Sequence, residues 1–238
     1  MITRRLLEDL AETMFATEAG GRLTGNAPQL HVLRTREHLI ARFHAALTDE
    51  IAASLRSRAE APRGRAGHWA RDYAAYHEIL RGVGPLTEVR AGPLYAVPDL
   101  GNPPSDVVSI GPDNRDLLRH GLDEWQPDVD AGLPMAAVVR DGRAVSVCAS
   151  VRASRAAHFA GVETLPDHRG LGLAAGAVTA WAQAVQALGA APYYGTTFDN
   201  LASQGVARRL RLTLIGSEFS IACEPAVERT TLKDSDDL

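Results

Sequence analysis

The chain has 238 residues, 45% of them hydrophobic and 23% charged, which fits one large folded domain or two small ones and excludes a disordered or collagen-like chain. A net charge of -4 offers no basic footprint for nucleic acid or an anionic membrane, and no apolar run approaches the roughly 18 residues of a membrane-crossing helix. Cys148 and Cys223 are the only cysteines, too few and too far apart for a disulfide framework or a zinc pattern. Glu8 and Asp9 interrupt the first ten residues, so these do not read as a secretory signal. A cytoplasmic location, reduced thiols and no metal site are the expectations.

Along the chain, Leu6 to Glu18 reads as a short amphipathic helix stopped by Gly20 and Gly21, with a Gly-, Asn- and Pro-bearing loop through Pro28. Thr35 is a fair N-cap for a second helix, since Ile40, Phe43, Leu47, Ile51 and Leu55 recur at helical spacing. Pro62, Gly64 and Gly67 break it, and a third helix follows with Trp69, Tyr73, Tyr76 and Leu80 on one face. Residues 1–90 are therefore predicted as a helical N-terminal extension.

From there the pattern becomes mixed. Gly92–Val97 and Asp106–Ile110 read as short strands, and Asn114–His120 as a helix. Met135–Arg140 and Arg143–Val151 are β-rich runs joined by Asp141-Gly142, a strong hairpin signal. Ala157–Thr164 is a further strand, followed by loop, helix, strand, helix, strand. Interleaved helices and strands that include a hairpin predict a mixed-sheet α/β (α+β) domain over residues 91–224. Residues 225–238 are a polar, acidic tail.

One stretch points to a ligand. After the strand ending at Thr164 come Pro166-Asp-His-Arg169-Gly170-Leu171-Gly172-Leu173-Ala174, and then a helix with an apolar stripe through Ala177, Val178, Trp181 and Val185. A helix opening from a glycine loop presents unpaired N–H groups and the positive end of its dipole, which suits a phosphate. Gly170 and Gly172 let the backbone approach the anion, and Arg169 adds a charged donor. The same glycines would also serve a plain strand-to-helix turn. Gly170-x-Gly172-x-x-Ala175 fits the dinucleotide fingerprint too, but four residues separate strand from first glycine and only about one β–α–β unit follows.

Arg169-x-x-Gly172-x-Ala174 resembles the Gln/Arg-x-x-Gly-x-Gly/Ala signature of the GNAT superfamily, the acyl-CoA-dependent N-acyltransferases. Pro166-x-x-Arg169-Gly170 before it, Pro192–Thr197 after it, and the helix opened by Asp199-Asn200-Leu-Ala-Ser203 extend the likeness over residues 90–222. The resemblance implies a mixed, V-splayed sheet flanked by helices and acetyl-CoA as co-substrate. The backbone of Val162 and Thr164 would pair with the pantetheine arm. Arg169, Gly170, Leu171, Gly172, Leu173 and Ala174 would hold the pyrophosphate, with Asn200 and Ser203 beside the pantetheine. Many members carry a tyrosine seven residues after this asparagine to protonate the leaving thiolate; here that position is Ala207.

An amine acceptor must lose a proton to a base, usually a carboxylate or histidine. Glu163, beside the presumptive cofactor strand, is the first candidate. His158, five positions earlier and so on the opposite pleat face, is the second. The expected function is N-acetyl transfer to a small-molecule or peptide amine, with no nucleic-acid or membrane partner and a homodimer left open. A non-catalytic acyl-CoA-binding module is the alternative.

Overall fold

The computed structural model describes residues 2–61 and 69–224. The breakers Pro62, Gly64 and Gly67, the Trp69 side chain and the tail from 225 lie outside the described residues. The elements in chain order are α1 (Arg4–Met14), β1 (Leu30–Arg34), β2 (Leu39–Phe43), α2 (Asp49–Glu60), α3 (Trp69–Leu80), β3 (Leu86–Ala96), β4 (Val107–Ser109), α4 (Gln126–Val129), β5 (Met135–Arg140), β6 (Arg143–Ala153), β7 (Ala157–Thr164), α5 (Leu173–Ala187), β8 (Ala191–Gly195), α6 (Leu201–Arg209) and β9 (Thr213–Cys223).

Among the described residues the strands join one mixed nine-stranded sheet in the order β2-β1-β9-β3-β8-β7-β6-β5-β4. Every pairing is antiparallel except β7 with β8. The predicted hairpin is present: Arg140 pairs with Arg143, and Asp141 and Gly142 have φ of 51° and 78°. Helices cover both faces. On one, α2 and α3 bury Tyr76 and Leu80 against Phe219 and Ile221, and α5 buries Trp181 and Val185 against β5 and β6. On the other, Leu7, Leu10 and Met14 of α1 pack on Leu33, Leu94 and Phe159. Among the described residues, no helix is long and apolar enough to cross a membrane.

The first ninety residues are not the all-helical extension that their spacing predicts. Leu39–Phe43 is strand β2, and the helix begins only at Asp49, capped by Thr48, whose side chain accepts from Ile51 N–H. β1 pairs with both β2 and β9, so this region completes the sheet. The physical reason is burial on both sides. Ile40 packs under α1 while Ala41 and Phe43 pack under α2, which erases the polar alternation of a half-exposed strand. The helix expected at Asn114–His120 is instead a 3₁₀ segment over Pro112–Leu118 with a kink at Asn114. Tyr73, expected in the core with Tyr76, is 39% exposed.

Candidate functional site

β7 and β8 run together for only three residue pairs, Ala157↔Ala191, His158↔Pro192 and Phe159↔Tyr193. Beyond Phe159 the strands part. Ala160, Gly161, Val162, Glu163 and Thr164 keep their pairing to β6 but have no partner strand on the β8 side. That leaves a row of backbone donors and acceptors facing a cleft of about 810 Å³, bordered by Val162, Thr164, Gly172, Tyr194, Asn200 and Arg209. Unpaired edge groups of this kind are a template for an extended ligand that carries amides.

The loop from β7 to α5 closes one end of this cleft. Arg169 Nε donates to the Thr164 carbonyl at 3.1 Å, tying the loop back to the strand. Gly170 and Gly172 have φ of 76° and 78°. Gly172 caps α5 in the left-handed region, and a Cβ there would stand 2.7 Å from the guanidinium carbon of Arg209. The backbone N–H groups of Gly170, Leu171, Gly172, Leu173 and Ala174 donate to no described residue. Five free donors, a helix N-terminus and the two guanidiniums of Arg169 and Arg209 converge here, a cradle for a phosphate group. The last turn of α6 brings Arg209 to Gly172.

Asn200 is the N-cap of α6, its Oδ1 accepting from Ser203 N–H at 2.9 Å. Ser203 Oγ lies 2.7 Å from the hydroxyl of Tyr194. Burial pushes the Tyr194 phenol up to about 12. Ala207, one turn beyond Ser203, is buried against the α5 layer. Tyr194 borders the cleft, while Tyr193 stacks on Phe159 beneath α1.

Glu163 and His158 do leave opposite faces of β7. His158 is 4% exposed, with Nδ1 2.8 Å from Ser150 Oγ, which also accepts from Trp181 Nε1. Burial lowers its pKa, and it borders neither cleft described here. Glu163 borders the cofactor-sized cleft, and one of its oxygens accepts from Trp125 Nε1 at 2.5 Å.

A second cleft, of about 430 Å³, opens on the α1 face. Val151, Ala160, Gly195, Thr196 and Thr197 border both clefts. Its floor carries Glu218 of β9, a residue the sequence reading missed because a lone strand glutamate carries no local motif. Glu218 pairs across the sheet with Gly92. Glycine is required there because a Cβ would lie 1.6 Å from the Thr196 carbonyl oxygen, where the chain leaving β8 crosses β3.

No protein-family model matches the chain, and no curated protein matches it. Among solved structures it is similar to a GCN5-related N-acetyltransferase-like protein from Streptococcus suis 89/1591, at 17% identity over 90% of this chain and 98% of that one, TM-score 0.48. It is also similar to a GCN5-related N-acetyltransferase from Sphaerobacter thermophilus, at 11% identity over 80% and 75% of the two chains, TM-score 0.43. The structure of yncA from Salmonella typhimurium with its cofactor acetyl-CoA matches at 15% identity over 52% of this chain and 98% of that one, TM-score 0.38.

Proposed function

We propose that this chain is a GNAT-type N-acetyltransferase that moves an acetyl group from acetyl-CoA to an amine. The observation that carries this reading is the parting of β7 from β8 immediately before a free-donor loop at the start of α5. An unpaired strand edge and a phosphate cradle at its end match a ligand built as an amide-bearing arm on a pyrophosphate. Acetyl-CoA, when bound, supplies an acyl carbon activated as a thioester.

The backbone of Val162 and Thr164 would hold the arm. Gly170, Leu171, Gly172, Leu173 and Ala174 would donate their N–H groups to the pyrophosphate, with Arg169 and Arg209 adding charge. Ser203 and the Asn200 cap border the arm from α6. Glu163 borders the same cleft with one oxygen engaged by Trp125.

The test is thermal denaturation with ligands. Acetyl-CoA or CoA at a hundredfold excess over its dissociation constant should stabilise the fold by about 2.7 kcal/mol, while NAD and ATP should not. A shift with NAD and none with CoA would overturn the reading. Thiol release from acetyl-CoA on adding an amine separates an enzyme from a non-catalytic acyl-CoA-binding module.

A further inference from the structure

We propose that Glu218, beside the buried His31, receives the acceptor's ammonium and takes its proton, and that the cleft on the α1 face accepts a small primary monoamine with an apolar body. The proposal rests on the acetyl-transfer reading above for the second substrate only.

The two carboxylate oxygens of Glu218 face different ways. Oε1 lies 3.5 Å from Nε2 of His31, which is 1% exposed and set edge-on to Phe15 with ring centroids 4.8 Å apart. Oε2 points to Gly195, where a Cβ would stand 3.7 Å away. Gly195 closes β8 where β7 and β8 part, and it borders both clefts. One oxygen thus faces β1 and the other reaches the wall between the clefts. Oε2 accepts no hydrogen bond from the described residues. Glu163, by contrast, has an oxygen engaged by Trp125.

The other charged groups at this cleft are Glu88 and Arg90 on β3, paired at 3.3 Å, and Arg152 on β6, whose Nε donates to the Met14 carbonyl at 3.0 Å. Met14, Phe15, Val151 and Phe159 supply an apolar wall. A space of about 430 Å³ with apolar sides suits one small molecule. Two carboxylates face two guanidiniums here, so the cleft has no surplus negative charge to favour a polycation.

In the step, Glu218 Oε2 takes one proton from the ammonium. The freed nitrogen lone pair forms the N–C bond at the acyl carbon, the C–S bond breaks, and the electron pair leaves on sulfur. The second amine proton neutralises that thiolate, and Glu218 returns its proton to water. The products are an amide, a thiol and one proton.

The experiment titrates 2-phenylethylamine calorimetrically into the CoA-free protein, for wild type, Glu218→Gln and Glu163→Gln. CoA is titrated separately into each. Wild type and Glu163→Gln should bind the amine alike, Glu218→Gln at least about tenfold more weakly, and all three should bind CoA equally, which also reports that they fold. With acetyl-CoA present, Glu218→Gln should lose about 10²–10⁴-fold in turnover. If Glu218→Gln does not fold, Glu218→Asp, which keeps the charge beside His31, replaces it and should bind the amine but turn over at least about tenfold slower. Equal amine binding by wild type and Glu218→Gln would overturn the proposal. So would a turnover loss in Glu163→Gln with none in Glu218→Gln, or a preference of wild type for kanamycin or a peptide over 2-phenylethylamine. If wild type binds the amine but not CoA, the acetyl-transfer reading fails and the amine site stands.

Discussion

At Tyr194, burial against the α5 layer moves the phenol from 10.0 to about 12, and the hydrogen bond with Ser203 offsets only part of that shift. The folded state therefore holds this proton over a range where the unfolded chain has released it. The stability linked to it is complete below pH 10.0 and is lost as pH rises towards about 12, at about 1.4 kcal/mol per unit. Tyr194→Phe should thus cost about 1 kcal/mol at neutral pH, from the lost hydrogen bond, yet fall less steeply than wild type across that alkaline window. Urea titrations on both sides of the window measure the difference, and parallel curves would show that the phenol titrates normally. At neutral pH the phenol keeps its proton beside Ser203, one helical turn before Ala207. The sequence shows only that Ala207 lacks the family's tyrosine. It does not show that a strand brings a hydroxyl to the same helix, because that contact depends on the packing of β8 under α6.

Two helix ends meet at the phosphate cradle. The N-terminus of α5 offers free N–H donors, and the last turn of α6 lays Arg209 against Gly172. Two variants separate their parts. Gly172→Val forces a β-branched side chain into the left-handed region, costing about 1–3 kcal/mol in backbone strain, and fills the space that a phosphate needs. It should bind CoA at least about a hundredfold more weakly while still folding. Arg209→Ala removes one exposed charge-assisted contact, so its loss should be nearer tenfold and should shrink as salt rises, because an exposed contact is screened. Isothermal titration at two salt concentrations reads both. Unchanged affinity in Gly172→Val would leave the loop as a plain turn. The loop was legible from Gly170, Gly172 and Arg169 because a helix N-terminus is a local structure. Arg209 was not assigned to it, since only tertiary packing brings α6 there.

For the whole molecule, legibility follows the distance over which contacts are made. The β5–β6 hairpin, the β7 strand and α5 were readable because each is set by neighbours in sequence, through the Asp141-Gly142 turn and the apolar stripe of α5. The opposite pleat faces of His158 and Glu163 followed from strand periodicity alone. β1 and β2 were not readable. Their apolar residues are covered by α1 on one side and α2 on the other, so the helical spacing of Ile40, Phe43 and Leu47 is a coincidence of two buried faces. The carboxylate proposed for the acceptor carries no local signal for the same reason: Glu218 gains meaning only from His31 of β1 and Gly195 of β8 near it.

The attachment of β1 to β9 also bears on how the chain reaches this state. Gln29 Oε1 accepts from Cys223 N–H at 2.6 Å across 194 positions. During synthesis β1 and β2 thus wait, without their sheet neighbour, until β9 is made. Closing so long a loop comes late, whereas β5, β6 and β7 meet through short connections. Pulse-labelled hydrogen exchange during refolding should find β5–β7 amides protected well before those of β1. Simultaneous protection would show a single concerted closure. In the ordered case the cleft proposed for the acyl donor takes shape before the one proposed for the amine.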